Sequence, residues 1–177
     1  MNALARKEVI GLTYGVLDTP KAPRAFLSAQ VEDYSACVEE LKRIYPLHWE
    51  ELALNKDRVP LNPDYRRYEA LNDAGMLLFV TLRRAGRLVG YFIGFVEREL
   101  HYQDSLSLKM DIYFTHPEIR GGTAALRLFR AVIREARRRG VTRTCFGSKL
   151  HRDSGRLFAA LGMKPVETWY SAMLEDI

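Results

Sequence analysis

The stretch "DIYFTHPEIRGGTAALRLF", residues 111 to 129, constrains the fold more than any other part of the chain. It opens as an alternating strand, stops at Pro117 and resumes at helical spacing after Gly122. Between the two lies Arg120-Gly121-Gly122-Thr123, one strong cation followed by almost no side chain. The start of a helix leaves backbone N–H groups unpaired and carries partial positive charge, so it is a natural seat for phosphate. Side chains would block a bulky anion, which is a reason for Gly121 and Gly122 to be there, and Arg120 adds a charge-assisted donor. The plainer reading is a tight strand-to-helix turn that binds nothing.

Charge sharpens the choice. The chain of 177 residues carries +5, yet residues 120 to 143 hold eight arginines and one acid, Glu135. That segment nets +7 and the remainder −2, so the basicity is local. A local anion site or a basic face is expected, not a protein coated in positive charge. At 47% hydrophobic the chain is the size of one domain, residues 1 to 177 with an N-terminal extension over 1 to 24. No apolar run of membrane-spanning length appears, and no signal-peptide core follows Arg6 and Lys7. Cys37 and Cys145 lie far apart without a CxxC spacing, which fits a reduced, cytoplasmic protein; no metal-ligand set stands out.

Residues 26 to 31 read as a first strand. Asp33 caps a helix that Pro46 should stop, with "HWEELAL" continuing as an irregular or helical piece. Asn62-Pro63 should open a second helix ending near Gly75. Residues 76 to 82 and 87 to 98 read as strands joined by a "RRAGR" hairpin turn. In "LSLKMDIYFT", strict alternation puts Leu106, Leu108, Met110, Ile112 and Phe114 on one face and Asp111 with Tyr113 on the other. A helix from about Gly122 to Arg139, a strand "VTRTCFGS", a short helix "DSGRLFAALG" and a last strand "PVETWYSAML" complete the order. This β-α-α-β-β-β-α-β-α-β series predicts an α/β sheet with parallel pairing in its second half.

"HPEIRGGTAALRLF" resembles the coenzyme loop of the GNAT superfamily of acyl-CoA-dependent N-acyltransferases, and "DSGRLFAALGMKPVETWYSAML" resembles the closing region of the same family. The wording of the loop is similar to phage-encoded members. The resemblance covers about residues 25 to 175. It implies a mixed sheet of about six to seven strands flanked by about four helices, splayed between the fourth and fifth strands, with acetyl-CoA as donor. Carried over by position, Arg120, Gly121, Gly122, Thr123, Ala124 and Ala125 would hold the diphosphate. Thr123 departs from the family by replacing a glycine. Backbone groups of Ile112, Tyr113 and Phe114 would meet the pantetheine arm, with "CFGS" across the wedge.

Acetyl transfer to an amine needs a base, a polarised thioester oxygen and a proton for the departing thiolate. Asp111 stands where many family members place an acid facing the acceptor; the alternative is an Asp satisfied by neighbouring groups. Glu97 and Glu99 are further acids at the end of the third strand. Many members take the proton from a tyrosine on the short helix after the fifth strand, and here that position is Phe158. His151, Ser148 and Tyr170 are the residues left within expected reach. The acceptor pocket would be lined by His48, Trp49, Tyr65 and Tyr68, with Glu50 and Glu51 to hold a cationic amine; packing of these aromatics against the sheet is the competing reading.

The function so implied is an N-acetyltransferase acting on a primary amine of a small molecule or protein. Two alternatives stand beside it. The arginines at 127, 130, 134 and 138 could track nucleic acid in a DNA-base-modifying enzyme, although no aromatic residues interleave to stack bases. A chain lacking the usual tyrosine could also be a degenerate virion or interaction protein. A homodimer is compatible with the sequence, and a phage-encoded protein would work in the host cytoplasm.

Overall fold

A computed structural model describes residues 26 to 177; the N-terminal extension expected over 1 to 24 lies outside the described residues. The elements run β1 (Leu27–Val31), α1 (Tyr34–Leu52), α2 (Tyr65–Asp73), β2 (Leu77–Arg84), β3 (Arg87–Glu99), β4 (Tyr102–Thr115), α3 (Ala124–Arg138), β5 (Arg143–Cys145) and α4 (Gly155–Ala160). Single 3-10 turns lie at Pro117–Ile119 and Leu174–Asp176.

The sheet order is β1-β2-β3-β4-β5, antiparallel through β4 and parallel between β4 and β5. Five strands pair among the described residues, one or two fewer than expected. The missing strand is "PVETWYSAML": residues 163 to 173 join no sheet, and Trp169 and Tyr170 stand 86% and 92% exposed. Its β propensity finds no edge to pair with, because β5 is only three residues long. The chain end instead folds back onto the connection after α1, where Arg58 forks onto Asp176 at 2.8 Å and reaches Glu175 at 3.0 Å.

Strand alternation divides the core in two. Leu78, Val80, Leu82, Phe92 and Leu108 meet Leu128, Phe129 and Val132 of α3 and Phe158 of α4. Leu77, Phe79, Tyr91, Ile93 and Phe114 meet Tyr34, Leu41 and Tyr45 of α1. The Ala85-Gly86 hairpin has φ of 50° and 81°, the paired left-handed geometry that matches strand twist. Pro46 does not end α1 as expected. The helix runs through it to Leu52 because burial of Tyr34, Leu41, Tyr45 and His48 along one face outweighs the single backbone bond proline removes. Asp64, not Asn62, caps α2 by accepting from Arg67 N at 3.0 Å.

Candidate active site

The first element of the site is a defect in β4. Ile93 sits opposite Ile112 and Gly94 opposite Met110, so Asp111 is an extra residue with no partner on β3. Such a bulge resets the alternation. Leu106, Leu108 and Met110 pack on the α3 side and Ile112 and Phe114 on the α1 side. The single face expected for those five residues is therefore split, and Asp111 shares the α1 side with Ile112 instead of following Tyr113. Gly94 permits the distortion: a Cβ there would lie 2.8 Å from side-chain atoms of Leu108 and Phe92 and 2.9 Å from Lys109 O.

The bulge turns Asp111 toward α2, where the Tyr68 hydroxyl donates to its Oδ2. Asp111 is exposed as a residue, but partial loss of water around its carboxyl pushes it above the usual Asp range, and the Tyr68 bond opposes that rise. Burial, then the bond to Asp111, raise the Tyr68 hydroxyl well above the usual tyrosine range, so it stays a donor. Tyr68 is held between Tyr34 and Phe95, with ring centroids at 5.2 and 6.4 Å. Tyr65 stacks over Tyr45 at 6.2 Å. His48 stacks on Phe114 at 4.9 Å and shares a hydrogen bond through Nδ1 with Tyr91; burial lowers its pKa to about 4, so the ring is neutral near pH 7. Glu97 and Glu99 are engaged by Lys109 at 2.9 and 3.3 Å.

The second element is the splay. β5 pairs with Ser107, Leu108 and Lys109 only, so β4 runs on from Met110 to Thr115 without a neighbour on that side. Across the opening, Ser148 accepts from Ser154 N and donates to Asp153, both at 2.7 Å. The Tyr113 hydroxyl reaches over to Ser154 Oγ. Phe158 is buried among Tyr113, Phe129 and Phe146, so its phenyl ring fills core and offers no hydroxyl.

The third element is the loop before α3. Among the described residues, no acceptor is engaged by the amides of Gly121 through Leu126, and Arg127 N is the first to bond back, to Thr123 O at 2.9 Å. Gly121 has φ of 80°, a conformation few side chains adopt, and a Cβ at Gly121 or Gly122 would meet nothing within 4 Å. Thr123 is the N-cap but its side chain makes no capping bond. Open space, six unpaired amides and the helix dipole fit a diphosphate. Arg120 points elsewhere: its guanidinium forks onto Glu51 at 2.7 and 2.7 Å, and its Nε donates to Thr115 O at 2.8 Å.

The remaining expected residues are less gathered. Trp49 lies under Lys56 at 5.4 Å, and Lys56 also pairs with Glu50 at 2.8 Å. With Glu51 held by Arg120, both acids assigned to a cationic amine already have partners. His151 is exposed. Tyr170 is exposed in the unpaired segment after α4. Arg127, Arg130 and Arg134 line the exposed face of α3, while Arg138 is paired with Glu135 at 2.7 Å. Sequence reading missed the hydroxyl reach of Tyr113, the His48–Tyr91 pair and the Glu51 fork, all contacts between distant segments. The glycine in "FIGF", inside an otherwise apolar strand, was the one available signal for the bulge.

A mixed sheet parted after β4, with a bare helix start at the parting, defines an α/β acyltransferase fold. The model of the Acetyltransferase (GNAT) family matches residues 36–163, and the chain belongs to that family of acetyltransferases. A predicted acetyltransferase of Clostridium acetobutylicum, solved with acetyl-CoA, superposes with a TM-score of 0.66 at 12% identity, covering 86% of this chain and 99% of its own. An aminoglycoside acetyltransferase from an uncultured soil metagenomic sample gives 0.67 at 11% identity, covering 84% and 99%. The glucosamine-6-phosphate N-acetyltransferase of Arabidopsis thaliana gives 0.63 at 9% identity, with the same coverage. No curated protein matches the sequence.

Proposed function

We propose that this acetyltransferase moves an acetyl group from acetyl-CoA to a primary amine of a small molecule or protein by direct attack. The observation that carries this reading is the run of unpaired amides, Gly121 to Leu126, opening onto the parted edge of β4 beside the Asp111 bulge. The coenzyme supplies the activated thioester. Main-chain amides of residues 121 to 126 would hold its diphosphate, and the free edge from Ile112 to Phe114 would align its arm. Asp111 accepts the proton of the attacking amine, its raised pKa bringing it closer to a useful base strength. The Tyr113–Ser154 hydroxyl pair, bridging β4 and the start of α4, holds a proton for the departing sulfur.

The acceptor approaches between α2 and the β4 bulge, where Tyr65 and Tyr68 offer flat surfaces. Neighbours of this fold act on aminoglycosides and on glucosamine-6-phosphate, so amino sugars head the acceptors to try. Both cysteines are free thiols, which suits work in the cytoplasm. Coenzyme A at 100 times its dissociation constant should raise stability by about 2.7 kcal/mol, read as a thermal shift. Thiol release from acetyl-CoA with an amino-sugar panel then tests transfer. A chain that gains no stability at millimolar coenzyme is not this enzyme.

A further inference from the structure

Glu51, on the last turn of α1, joins both lips of the parted sheet. On the β4 side it takes the fork of Arg120, whose Nε is tied to Thr115 O, the last residue of β4. On the β5 side Arg152, just before α4, approaches its Oε1 at 3.3 Å. The Arg120 guanidinium also lies over the Phe114 ring at 5.4 Å. Its planar fork therefore has a carboxylate, a carbonyl and an aromatic face as partners, all within the protein. The Glu51 side chain is only 14% exposed, so the pair is shielded, and Arg120 holds the Glu51 carboxyl below the usual range.

From this geometry we infer that Glu51 and Arg120 form a positioning strut for the coenzyme loop, and that Arg120 is not itself a phosphate ligand. The inference rests on the acetyl-CoA reading above. Arg120 immediately precedes Gly121 and Gly122, where an added Cβ would meet nothing within 4 Å. Fixing the Arg120 side chain at three points fixes where the bare amides begin. A strut needs both partners of the fork, whereas a phosphate ligand needs only Arg120. Shortening Glu51 separates the two, because it pulls the carboxylate away and leaves the Arg120 charge and fork intact.

The test measures coenzyme A binding by titration calorimetry for the wild type, Arg120→Lys, Glu51→Asp and the double variant. Each single change should weaken binding about tenfold, the loss expected for one charge-assisted bond pair. The double variant should be no weaker than the worse single, since both remove one strut. The kcat at saturating acetyl-CoA should stay within about twofold, because neither side chain touches the reacting atoms. Should the forked variants fold poorly, Arg152→Gln on the exposed connection removes one arm and should still weaken binding about threefold. Wild-type binding with Glu51→Asp unaffected, or single losses that multiply, overturns the strut alone. Absence of wild-type binding overturns the acetyl-CoA reading and this inference with it.

Discussion

The two faces of the central sheet come from alternate residues of the same strands, yet they hold their helices by different means. Toward α3 and α4 the buried core is dry: Leu78, Val80, Leu82, Phe92, Leu108, Leu128, Phe129 and Phe158 have no polar tip among them, and the hydroxyl of half-buried Tyr113 reaches out of this cluster to Ser154. Toward α1 and α2, Phe79 and Phe114 are joined by Tyr34, Tyr45, Tyr65, Tyr68, Tyr91 and His48. The tyrosines and His48 bury area as phenylalanine does, but each brings a polar atom that needs a partner. Tyr34 and Tyr45 pair hydroxyls at 3.4 Å, His48 pairs with Tyr91, and Tyr68 with Asp111. The dry face sets how firmly the sheet is held. The wet face supplies a network in which a carboxylate can be kept partly dry and still hydrogen-bonded.

Changes within the dry core should therefore be read in stability, and changes to the hydrogen-bonded groups of the wet face in chemistry. The largest effect belongs to Phe129, fully buried with four aromatic neighbours between 4.9 and 5.6 Å. Phe129→Ala should cost about 4 kcal/mol in denaturant unfolding and leave the pH profile of the folded fraction unchanged. Next comes Asp111→Asn, which keeps the Tyr68 contact in shape and removes the base. Its kcat should fall about 100-fold with coenzyme affinity unchanged. Wild-type kcat should drop as pH falls through the raised pKa of Asp111, and a variant that keeps both turnover and this acid limb would show that the proton goes elsewhere.

A third effect divides the wet face itself. At its edge, Arg83 binds Glu32 at 2.7 Å and Glu40 at 2.8 Å, and holds the Glu32 carboxyl down at about 2. The folded value lies below the unfolded one, so Glu32 stabilises the fold above pH 4.5 and that support disappears as pH falls toward 2. After allowance for screening, the loss should be about 2 kcal/mol, and Glu32→Gln should flatten the slope in acid unfolding. Asp111 has the opposite sign: its raised pKa makes its ionised form a cost to stability. The ion-paired edge supports the fold and the bulge taxes it, as expected of a functional carboxylate.

How much of this was legible follows from the range of each interaction. Element order as far as α4, the end of α3 near Arg139 and the bare start of α3 depend on residues close in sequence, and they read directly from it. The failures came where distant segments decide. Pro46 stays helical because α1 is buried on the sheet, and the final strand stays unpaired because β5 is too short to receive it. The bulge at Asp111 was hidden because period-two counting assumes an unbroken ladder, and it changed which face the acid uses. Arg120 was expected to serve phosphate by its charge, but the structure gives it a carboxylate partner 69 residues away. No local pattern announces that pairing.

The smallest effect tests the comparison most finely. Tyr68→Phe leaves the ring between Tyr34 and Phe95 and removes only the hydroxyl donated to Asp111. That bond lowers the pKa of Asp111 against the rise caused by burial. Its loss should therefore move the acid limb of kcat to higher pH. Near neutral pH the rate should fall only a few-fold, because a stronger base partly offsets its smaller ionised fraction. Tyr34→Phe serves as the control, since its hydroxyl partner is Tyr45 and not the carboxylate. An acid limb that stays in place in Tyr68→Phe, or moves equally in Tyr34→Phe, would mean that Asp111 is tuned by burial alone and that the hydroxyls of this face serve packing.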